Sequence, residues 1–593
     1  MRDTSLWLPT SVKEVKDRGW DYIDVILFSG DAYVDHPSFG AAVIGRILEN
    51  AGYRVAIVPQ PNWRDDLRDF KKLGVPRLFF GVSAGAMDSM VNHYTAARRR
   101  RSDDAYTPGG RHGMRPDYPT IVYSNILKEL YPDVPVVVGG IEASLRRLSH
   151  YDYWEDRLRP SILVDSKADI LVYGMGEKPI LEIASRLEGG ERVDQIIDVP
   201  QTAILLPKEI IPAETNANNI ILASWEECAA SKKKQSSNFK HIEQQSNRLI
   251  PDTVLWQKME QLGKVVKVNP MLPAMTQGEI DASFDLPYTR QPHPRYDGKT
   301  IPAYEMIRHS VNLHRGCFGG CAFCTISAHQ GKHIASRSHE SVLKEVEKVT
   351  GMPDFKGYIS DLGGPSANMY GMSGKNQEIC RNCLKPSCLH PVVCPNLDTS
   401  HESLLELYNK VDKIPGIKKS FIGSGVRYDL SMHPTGNHKT DNINREYNRQ
   451  LITKHVSGRL KVAPEHTEDH VLKLMRKPSF TQFEEFKNIF DNVNRKEGLN
   501  QQIIPYFISS HPGCREIDMK NLASKAKRLH LRPEQIQDFT PTPMTLASEI
   551  YYSGFHPYTG EKIYVARKPE EKIAQRNHFF FWQKPEERQN RKR

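Results

Sequence analysis

The stretch Ser310-Val-Asn-Leu-His-Arg-Gly-Cys317-Phe-Gly-Gly-Cys321-Ala-Phe-Cys324 joins a strand-like run to three closely spaced cysteines. Three thiolates on one short loop can hold three irons of a cubane iron–sulfur cluster and leave the fourth iron open for a substrate. A structural zinc ion would need a fourth ligand, which His314 or His329 would have to supply. The C-x3-C-x2-C spacing therefore favours an iron–sulfur cluster over zinc.

Five further strand-like runs follow this loop and alternate with helical patterns. Together with the first run, the predicted strands are Ser310–Arg315, Tyr358–Leu362, Phe421–Val426, Leu460–Ala463, Ile503–Ser509 and Gln535–Phe539. The predicted helices are Ser338–Val349, Glu402–Val411, Asn444–Lys454, Asp469–Lys477, Phe483–Val493 and Ile517–Leu529. This alternation predicts an α/β fold with a partial (β/α)6 barrel over 305–550, whose chemistry lies at the carboxyl ends of its strands.

The first 195 residues show an earlier alternation of the same kind. Its predicted strands are Tyr22–Gly30, Arg54–Val58, Leu78–Ser83, Pro135–Gly140 and Asp169–Gly174. Its predicted helices are Phe39–Gly52, Thr120–Leu130 and Pro179–Leu187. The pattern predicts a doubly wound, Rossmann-like or flavodoxin-like α/β domain over 1–195. Residues 196–304 are polar and proline-punctuated, and they are predicted to form a connecting arm.

The composition is that of a folded protein with several domains. The chain has 593 residues, 39% of them hydrophobic and 26% charged, which excludes a single small module and a disordered chain. The mean hydropathy is −0.54, and no apolar run is long enough to cross a bilayer or to serve as a signal peptide. We therefore expect a cytoplasmic location and no membrane partner.

The net charge of +10 is concentrated near the carboxyl terminus. Residues 551–593 are predicted to form a basic, partly disordered tail. Aromatic residues between cations, as in Phe579-Phe-Phe-Trp582, are able to stack and hold single-stranded nucleic acid. Four glutamates between 566 and 593 dilute this charge, so a solvated tail is favoured and RNA contact stays open.

Seven of the nine cysteines lie between 317 and 394, where clusters indicate metal ligands in a reducing compartment. The later four form the pattern Cys380-x2-Cys383-x4-Cys388-x5-Cys394 inside a predicted insertion at 372–400. Their spacing fits a zinc knuckle or a second iron–sulfur cluster, and closed four-ligand sites favour a structural metal. Cys228 and Cys514 are predicted to be ordinary thiols.

The first cysteine cluster resembles the signature of the radical S-adenosylmethionine (radical SAM) superfamily, with aromatic Phe323 before the third cysteine. The stretches Ile359–Tyr370 and Phe539-Thr-Pro-Thr-Pro-Met544 make the chain similar to the YgiQ-type family within it, over essentially its whole length. The resemblance implies that Cys317, Cys321 and Cys324 hold a [4Fe–4S] cluster. The residues that it implies for SAM binding, besides Phe323, are Gly363, Gly364, Ser424, Arg427 and Glu465.

The resemblance also implies an activity. A reduced [4Fe–4S] cluster cleaves SAM to a 5′-deoxyadenosyl radical, which abstracts hydrogen from a substrate that the sequence does not identify. The electron would come from a donor of the flavodoxin or ferredoxin type. The alternative is a non-catalytic iron–sulfur protein that senses redox state or binds RNA on the same scaffold. A pocket for the ribose and carboxylate of SAM favours the enzyme.

The amino-terminal domain resembles the cobalamin-binding domains that precede some radical SAM barrels. The resemblance is carried by Gly30, by Gly52-Tyr-Arg-Val and by Val138-Gly-Gly140. A histidine that binds cobalt is usually found in a D-x-H-x-x-G pattern, from which Asp35-His36 with Gly40 departs. We favour a domain without a cofactor, although base-off cobalamin needs no such histidine and stays open.

Overall fold

A computed structural model describes residues 3–216, 218–531 and 535–580 of the chain. The chain divides into two compact units. The first unit contains Met1–Arg308 with Ala328–Gln330 and Thr542–Met544, and the second contains the remaining residues. No helix among the described residues is both long and apolar enough to span a membrane.

The first unit is built on a nine-stranded sheet with the order β2-β1-β3-β4-β7-β8-β11-β10-β9. Its strands, with the hairpin strands β5 and β6, are β1 Val25–Ser29, β2 Val55–Pro59, β3 Phe79–Ser83, β4 Val136–Gly139, β5 His150–Asp152, β6 Arg157–Arg159, β7 Ile170–Val172, β8 Thr202–Pro207, β9 Asn219–Leu222, β10 Val254–Met259 and β11 Lys264–Val268. Five neighbouring strands of this sheet run parallel, in the order β2-β1-β3-β4-β7. This is the strand order of flavodoxin-like sheets. The predicted strands therefore lie within one to three residues of the observed ones.

Both faces of this sheet are buried, as doubly wound sheets require. Val25 and Leu27 of β1 belong to one hydrophobic cluster, whereas Ile26 and Phe28 belong to the other. The covering helices include the predicted ones and several shorter ones. Their bounds are Val12–Asp17, Gly40–Asn50, Arg68–Lys71, Ser89–His93, Pro119–Leu130, Gly140–Leu145, Ile162–Ser166, Glu177–Glu188, Trp225–Ala230, Lys232–Ser246, Gln277–Phe284 and Pro302–Ile307.

The segment 196–304 is not a connecting arm, as the sequence predicted, but part of this sheet. It contributes strands β8 to β11, of which β8 pairs antiparallel with β7 and β11 pairs antiparallel with both β8 and β10. The alternating apolar residues Leu255, Val266 and Val268 lie in the sheet core, while polar residues between them mask the strand pattern. The prediction failed because polar residues such as Gln257 and Lys267 interrupt the apolar runs, although most residues of β8, β10 and β11 are buried.

The second unit contains short parallel strands separated by helices. Its strands are β12 Ser310–Asn312, β13 His314–Arg315, β14 Ala335–Ser336, β15 Tyr358–Ile359, β16 Asp361–Gly363, β17 Lys419–Ser420, β18 Arg459–Glu465, β19 Gln502–Ser509 and β20 Gln535–Asp538. Parallel pairs join β12 to β16, β15 to β17, and β18 to β19 to β20. Five of the six predicted strands overlap an observed strand, and the observed strands form separate sheets of two or three strands. The closure of these strands into a partial (β/α)6 barrel stays a prediction.

The third barrel strand is shorter and earlier than predicted. It covers only Lys419–Ser420. Phe421 continues the pairing through two hydrogen bonds, one from its N–H to the Ile359 carbonyl at 2.9 Å and one from the Leu362 N–H to its own carbonyl at 2.8 Å. The predicted run Phe421–Val426 instead leaves the sheet at Gly423 and Ser424, whose N–H groups both bond to the Asp361 carboxylate. A side chain therefore replaces the sheet partner that the apolar pattern predicted.

The helices of the second unit pack on the outside of these strands. Their bounds are His339–Thr350, Gln377–Arg381, Glu402–Val411, Tyr428–Ser431, His438–Lys454, Asp469–Met475, Phe480–Lys496, Glu516–Arg528, Leu546–Ser553 and Pro569–Asn577. The helix His339–Thr350 shows why the sequence pattern predicted these helices. Ser338 caps it by accepting a hydrogen bond from the Ser341 N–H, and Val342, Val346 and Val349 form its buried stripe.

The tail predicted from residue 551 is folded as far as residue 580. The ring of buried Phe579 stacks on Phe507 of β19 with 6.2 Å between the ring centroids, which anchors the helix Pro569–Asn577 to the unit. The predicted disorder and the proposed RNA contact of residues 581–593 lie outside the described residues.

Candidate functional site

The three cysteines of the first cluster lie on a tight loop directly after β13. The Cys317 N–H donates to the Gly331 carbonyl and the Cys324 N–H to the Cys321 carbonyl, both at 3.1 Å. Gly320 has a φ of +59°, and a Cβ there would lie 2.4 Å from the Pro386 carbonyl oxygen. A residue with a Cβ would clash with Pro386 here, so this conformation of the loop requires glycine at position 320.

The described residues show no ligand set for a single metal ion at this loop. In residues 3–216, 218–531 and 535–580, no three His, Cys, Asp or Glu side chains are grouped so that they could hold one metal ion. In a cubane cluster each thiolate binds a different iron. The iron–sulfur cluster and the zinc site with His314 or His329 both stay predictions from the sequence.

Burial raises the pKa of the Cys317 thiol to about 11 and that of Cys324 to about 12, and the neighbouring Cys321 raises both further. Thiols of this kind are protonated at neutral pH until a metal displaces the proton. The site therefore requires a strongly bound metal group to hold three thiolates in one small volume.

Arg427 places a positive charge beside the sulfur of Cys321 in this loop. Its Nη1 lies 3.6 Å from the Cys321 sulfur, and the side chain is 8% exposed. Asp429 holds the guanidinium in place by accepting a hydrogen bond from Nε at 2.8 Å and forming an ion pair with Nη2. The arrangement places a fixed cation where negative charge on a cluster would lie.

Gly363 and Ser424 meet at the carboxyl ends of β16 and β17. A Cβ on Gly363 would lie 2.0 Å from the Ser424 hydroxyl oxygen. The Ser424 hydroxyl donates to Asp361 Oδ1 at 3.0 Å. Asp361 Oδ1 also accepts from the N–H groups of Gly423 and Ser424, at 2.8 and 3.1 Å. Burial raises the pKa of Asp361 and the three donors oppose this rise. Asp361 thus fixes the loop that the sequence assigned to SAM.

Gly364 is held next to His314 of β13. A Cβ on Gly364 would lie 2.6 Å from His314 Nε2, which bonds to the Ser366 carbonyl at 3.0 Å. Phe323 lies beside buried His511, with 6.1 Å between their ring centroids and an edge-to-face geometry. His511 therefore contacts an aromatic residue of the cysteine loop, and its Nδ1 also bonds to the neighbouring Pro512 carbonyl at 2.9 Å.

Glu465 ends β18 with a left-handed φ of +67° and is 7% exposed. Burial raises the pKa of its carboxyl, while Lys477 at 3.6 Å and Arg427 oppose the rise. Lys477 is itself buried. The pair forms an ionic element of the site, close enough to Cys324 that the Glu465 charge contributes to the raised pKa of that thiol.

The structure places Gly363 against Ser424, and it places Arg427 next to Cys321 and within electrostatic range of Glu465. It also adds three partners that the sequence reasoning missed. Asp361 stands at the start of the quoted glycine motif, and Asp429 follows Arg427 by two residues, so both had a local signal. Lys477 is twelve positions from Glu465 and had no local signal. Buried charges need partners, and that requirement is the general indication that such residues exist.

The segment with the four later cysteines packs directly against the first cysteine loop. The Cys388 N–H donates to the Phe318 carbonyl at 3.0 Å, and the Ser387 hydroxyl donates to the Gly319 carbonyl at 2.7 Å. Phe318 and Leu389 share a hydrophobic cluster, which Cys317, Cys388 and Cys394 border. The inserted segment therefore packs against the first cysteine loop and forms part of the same site.

A cavity of about 920 Å³ lies beside this segment. Residues 385–391 form part of its wall, and Arg476 links it to the loop by donating to the Gly320 carbonyl at 3.4 Å. The lysine and arginine residues of the lining are Lys385, Lys473, Arg476, Arg515 and Lys562. Asp518 and Glu561 are the acidic residues of the lining, so the cavity has an excess of positive charge that attracts anionic groups.

In the first unit, the carboxyl ends of β1 and β3 are filled by protein. Fully buried Arg115 bonds to Asp31 at 2.7 Å, to the Ala84 carbonyl at 2.8 Å and to Asp104 at 3.0 Å. A Cβ on Gly30 would lie 2.2 Å from the Ala84 carbonyl oxygen. The edge at which such sheets usually bind ligands is therefore occupied by an ion-pair network.

The Asp35-His36 pair also has internal partners. Asp35 forms an ion pair with Arg46 at 2.6 Å, and His36 Nδ1 accepts from the Ser38 N–H at 3.1 Å. His36 is 1% exposed. Neither residue is placed as an accessible cobalt ligand within this unit, so the residues present do not fit a cobalamin that is bound through histidine.

Comparison with known proteins agrees with this description. Residues 7–310 match the family described as Radical SAM N-terminal, and residues 534–589 match a domain of unknown function, DUF3362. A UPF0313 protein of Bacteroides thetaiotaomicron is 64% identical over 98% of this chain and 95% of the relative. One from Methanosarcina acetivorans is 45% identical over 96% of this chain and 78% of the relative.

The solved structures point to the same fold. TsrM from Kitasatospora setae, a radical SAM methyltransferase with cobalamin and a [4Fe–4S] cluster bound, matches with a TM-score of 0.52. The identity is 14%, over 95% of this chain and 90% of TsrM. A second TsrM structure, with tryptophan and a SAM analogue, matches with a TM-score of 0.51. The resemblance found in the sequence is thereby confirmed, and the chain belongs to the radical SAM family, among the UPF0313 proteins.

Proposed function

We propose that this radical SAM protein is an enzyme that binds a [4Fe–4S] cluster through Cys317, Cys321 and Cys324 and cleaves SAM reductively. The observation that carries the proposal is the Arg427–Cys321 contact at 3.6 Å, next to the Gly363–Ser424–Asp361 arrangement. A cation beside the cluster ligands and a glycine pair at the strand ends serve a bound cofactor better than they serve the fold alone.

When bound, the cluster supplies the electron that splits SAM into methionine and a 5′-deoxyadenosyl radical, which abstracts hydrogen from the substrate. The residues of the chain hold and shield the bound cofactors. Gly363 and Gly364 offer backbone groups and space to the methionine part of SAM. Ser424 and Arg427 face its ribose and carboxylate, and Phe323 shields the open side of the cysteine loop.

The charges at the site are paired, which prepares it for a charged cofactor. Asp429 lies against Arg427, and Lys477 lies 3.6 Å from Glu465, so each buried ionisable group has a partner of opposite sign. A zwitterionic ligand such as SAM can exchange contacts with these pairs without leaving a charge unpaired. Glu465 is the residue that we propose for the positively charged groups of SAM.

Cobalamin is not part of this proposal. TsrM holds it, but the filled edge at Arg115 and the internal partners of Asp35 and His36 favour a first unit that works without it. Base-off cobalamin needs no histidine and is tested separately in the Discussion.

The test needs no knowledge of the substrate. The full chain is reconstituted with iron and sulfide without oxygen, and SAM and a strong reductant are added. Mass spectrometry then measures 5′-deoxyadenosine, which we expect from the wild type and not from Cys317→Ala. A cluster that forms normally, ignores SAM in its EPR spectrum and yields no 5′-deoxyadenosine would overturn the enzyme and favour a redox sensor.

A further inference from the structure

The cavity of about 920 Å³ in the second unit, here the cationic cavity, is built by four separate segments of the chain. Its cations are Lys385 of the insertion, Lys473 and Arg476 after β18, Arg515 after β19, and Lys562 near the carboxyl terminus. Its described lining includes none of the residues that the sequence assigned to SAM or to the first cysteine cluster. The fold therefore gathers these five charges at a place of their own, beyond the carboxyl ends of β18 and β19.

Four of these cations form no ion pair with a carboxylate in the part of the chain that the structure describes. They are Lys385, Lys473, Arg515 and Lys562, and all four are exposed. The Arg515 guanidinium carbon lies 5.7 Å from the ring centroid of Tyr564. Like charges that converge on one concave surface repel each other, so an anion that binds among them stabilises the arrangement.

The two carboxylates of the lining do not neutralise these cations. Asp518 is 5% exposed, and its Oδ2 accepts from the Arg515 N–H at 2.8 Å and lies 3.3 Å from His470 Nε2. It therefore caps the helix Glu516–Arg528 and contacts a histidine rather than a lysine. The other carboxylate, Glu561, is exposed. Five cations against two carboxylates leave an excess of three positive charges in the lining.

Arg476 gives the cationic cavity a buried guanidinium in a fixed position. It ends the helix Asp469–Met475 with a left-handed φ of +56° and is 7% exposed. Its Nη1 donates to the Gly320 carbonyl at 3.4 Å, and its guanidinium carbon lies 5.8 Å from the ring centroid of Tyr558. A guanidinium has five N–H donors in one plane, and a pair of them matches two oxygens of a phosphate or carboxylate group. Arg476 therefore provides the directional contact, and the lysines provide charge.

The volume and the charge of the cavity together define its ligand. Pockets of roughly 300–1,000 Å³ hold small molecules, and this cavity lies within that range. A carboxylate carries one negative charge, whereas a phosphate ester carries about 1.5 to 2 at pH 7. Two phosphate groups thus balance three positive charges with fewer atoms than three carboxylates require. We propose that the cationic cavity binds a small molecule that carries two or more phosphate groups, one of which Arg476 contacts.

The walls of the cationic cavity are also bonded to the first cysteine loop. The Ala322 N–H donates to the Met475 carbonyl at 3.0 Å, and the Ala322 carbonyl accepts from the Ala547 N–H at 2.8 Å. Met475 precedes Arg476 and Ala547 follows Leu546, and both Arg476 and Leu546 line the cavity. A ligand in the cavity thus lies next to the segments that hold the cysteine loop, which suits a substrate. Its role as the substrate rests on the proposed function, whereas its binding does not.

The first experiment measures binding to the full chain. Isothermal titration calorimetry follows tripolyphosphate, ATP and citrate at about 50 mM and about 200 mM salt. We expect one tripolyphosphate per chain, bound at least about tenfold more tightly than citrate and more weakly as salt screens the cations. ATP that binds at least as tightly identifies a nucleotide as the source of the phosphates, and weaker ATP binding identifies a smaller phosphate compound. No binding of tripolyphosphate, or equal affinity for citrate, would overturn the proposal. A short RNA that competes at a lower phosphate concentration would contradict a small-molecule site.

Two variants with opposite expected effects protect the test against misfolding. Lys473→Gln should weaken tripolyphosphate binding about tenfold, whereas Glu561→Gln, which removes a negative charge, should strengthen it about threefold. A damaged fold does not bind its ligand more tightly, so Glu561→Gln distinguishes an effect of charge from an effect of structure. Lys356→Gln is the matched control, because Lys356 is exposed in the loop before β15 and lies outside the lining. Unchanged affinity in both Lys473→Gln and Glu561→Gln would place the anion elsewhere and refute the proposal.

Chemical labelling locates the bound anion. The full chain is acetylated at low reagent concentration with and without tripolyphosphate, and mass spectrometry quantifies the reaction of each lysine. Lys385, Lys473 and Lys562 should lose reactivity at least about threefold when the anion is bound, and Lys356 should not. Equal labelling of the three cavity lysines with and without the anion would overturn the site. Neither experiment needs a cluster or SAM, so a chain that cleaves SAM but binds no tripolyphosphate refutes this inference alone, and a chain that binds it without cleaving SAM refutes only the proposed function.

Discussion

The Arg427 guanidinium lies 3.6 Å from the Cys321 sulfur, and Asp429 holds it there through an ion pair. A buried ion pair contributes little net stability, because the cost of removing two charges from water offsets their attraction. Its value here is positional: a fixed positive charge stabilises the state of the cluster that carries the added electron.

This relationship predicts the effect of removing both charges together. In Arg427→Met with Asp429→Asn, no buried charge is left unpaired, so the fold and the cluster should be retained. We expect a more negative midpoint potential and formation of 5′-deoxyadenosine slowed at least about tenfold, the effect of about 1.4 kcal/mol on a barrier. Potentiometric EPR and a single-turnover assay measure the two effects. Arg445→Met, at an exposed position, is the control, and an unchanged potential in the double variant would refute the role of Arg427.

A second prediction concerns the contact between Gly363 and Ser424. Gly363→Ala places a Cβ 2.0 Å from the Ser424 hydroxyl oxygen and should weaken SAM binding at least about tenfold, a cost of about 1.4 kcal/mol. Ser424→Gly in the same chain removes that atom and should recover part of the affinity. Equilibrium binding of SAM to the four proteins of the double-mutant cycle measures the coupling.

Gly425→Ala provides the matched control for this cycle. It adds the same methyl group two residues beyond Gly423, where nothing lies within 4 Å of the added Cβ. SAM affinity should be unchanged. Additive effects of Gly363→Ala and Ser424→Gly would show that the two residues do not share one contact.

The strands and helices of the barrel could be predicted to within a few residues, because each helix has one apolar stripe and each buried strand is apolar. The site was predictable only where the chain carries a compact motif, as at Cys317–Cys324 and Gly363–Gly364. Lys477 was not predictable, since no periodicity relates it to its partner Glu465, twelve positions earlier. The strands of 196–304 were missed because polar residues within them interrupt the apolar pattern, although the strands are largely buried.

The third prediction concerns pH. His401 is fully buried, its ring stacks 4.2 Å from that of Tyr447, and its Nδ1 bonds to Asn444 Oδ1 at 2.8 Å. Burial lowers the pKa of His401 to about 4, and the Asn444 hydrogen bond opposes this. The unfolded chain, with a histidine pKa of about 6.5, therefore binds a proton first as the pH falls. The stability that the neutral histidine provides is complete above pH ~6.5 and lost as the pH falls towards 4.

Full loss amounts to about 3 kcal/mol for this one residue, since each unit of pKa corresponds to about 1.4 kcal/mol. Urea unfolding curves of the second unit, recorded at several pH values between 7 and 4, measure this loss of stability. His401→Gln can donate to Asn444 and accept from Asn368 without titrating, so its stability should fall less steeply over this range. Identical slopes for the wild type and His401→Gln would contradict the prediction. Burial also lowers the pKa of other histidines in this unit, to about 4 for His314, His390 and His511 and to about 3 for His466, and these residues contribute to the slope that stays.

A fourth prediction concerns cobalamin. Because Arg115 fills the carboxyl edge of β1 and β3, we expect no cobalamin to stay with the wild-type chain through gel filtration after incubation with hydroxocobalamin. The visible spectrum of the protein fraction measures retention. Stoichiometric cobalamin that survives in His36→Gln as well would establish base-off binding and overturn our preference for a first unit without a cofactor.

The bond from the Ser387 hydroxyl to the Gly319 carbonyl also bears on how the enzyme matures. Once the insertion has closed over the outer side of the cysteine loop, Gly320 leaves no room between the loop and Pro386. The side of the loop that faces the insertion is therefore closed, and iron and sulfide must reach Cys317, Cys321 and Cys324, which are partly exposed, from the other side. The delivery machinery of the cell can thus meet a chain in which residues 372–400 are already docked, so that folding of the insertion and loading of the metal are separate steps of biogenesis.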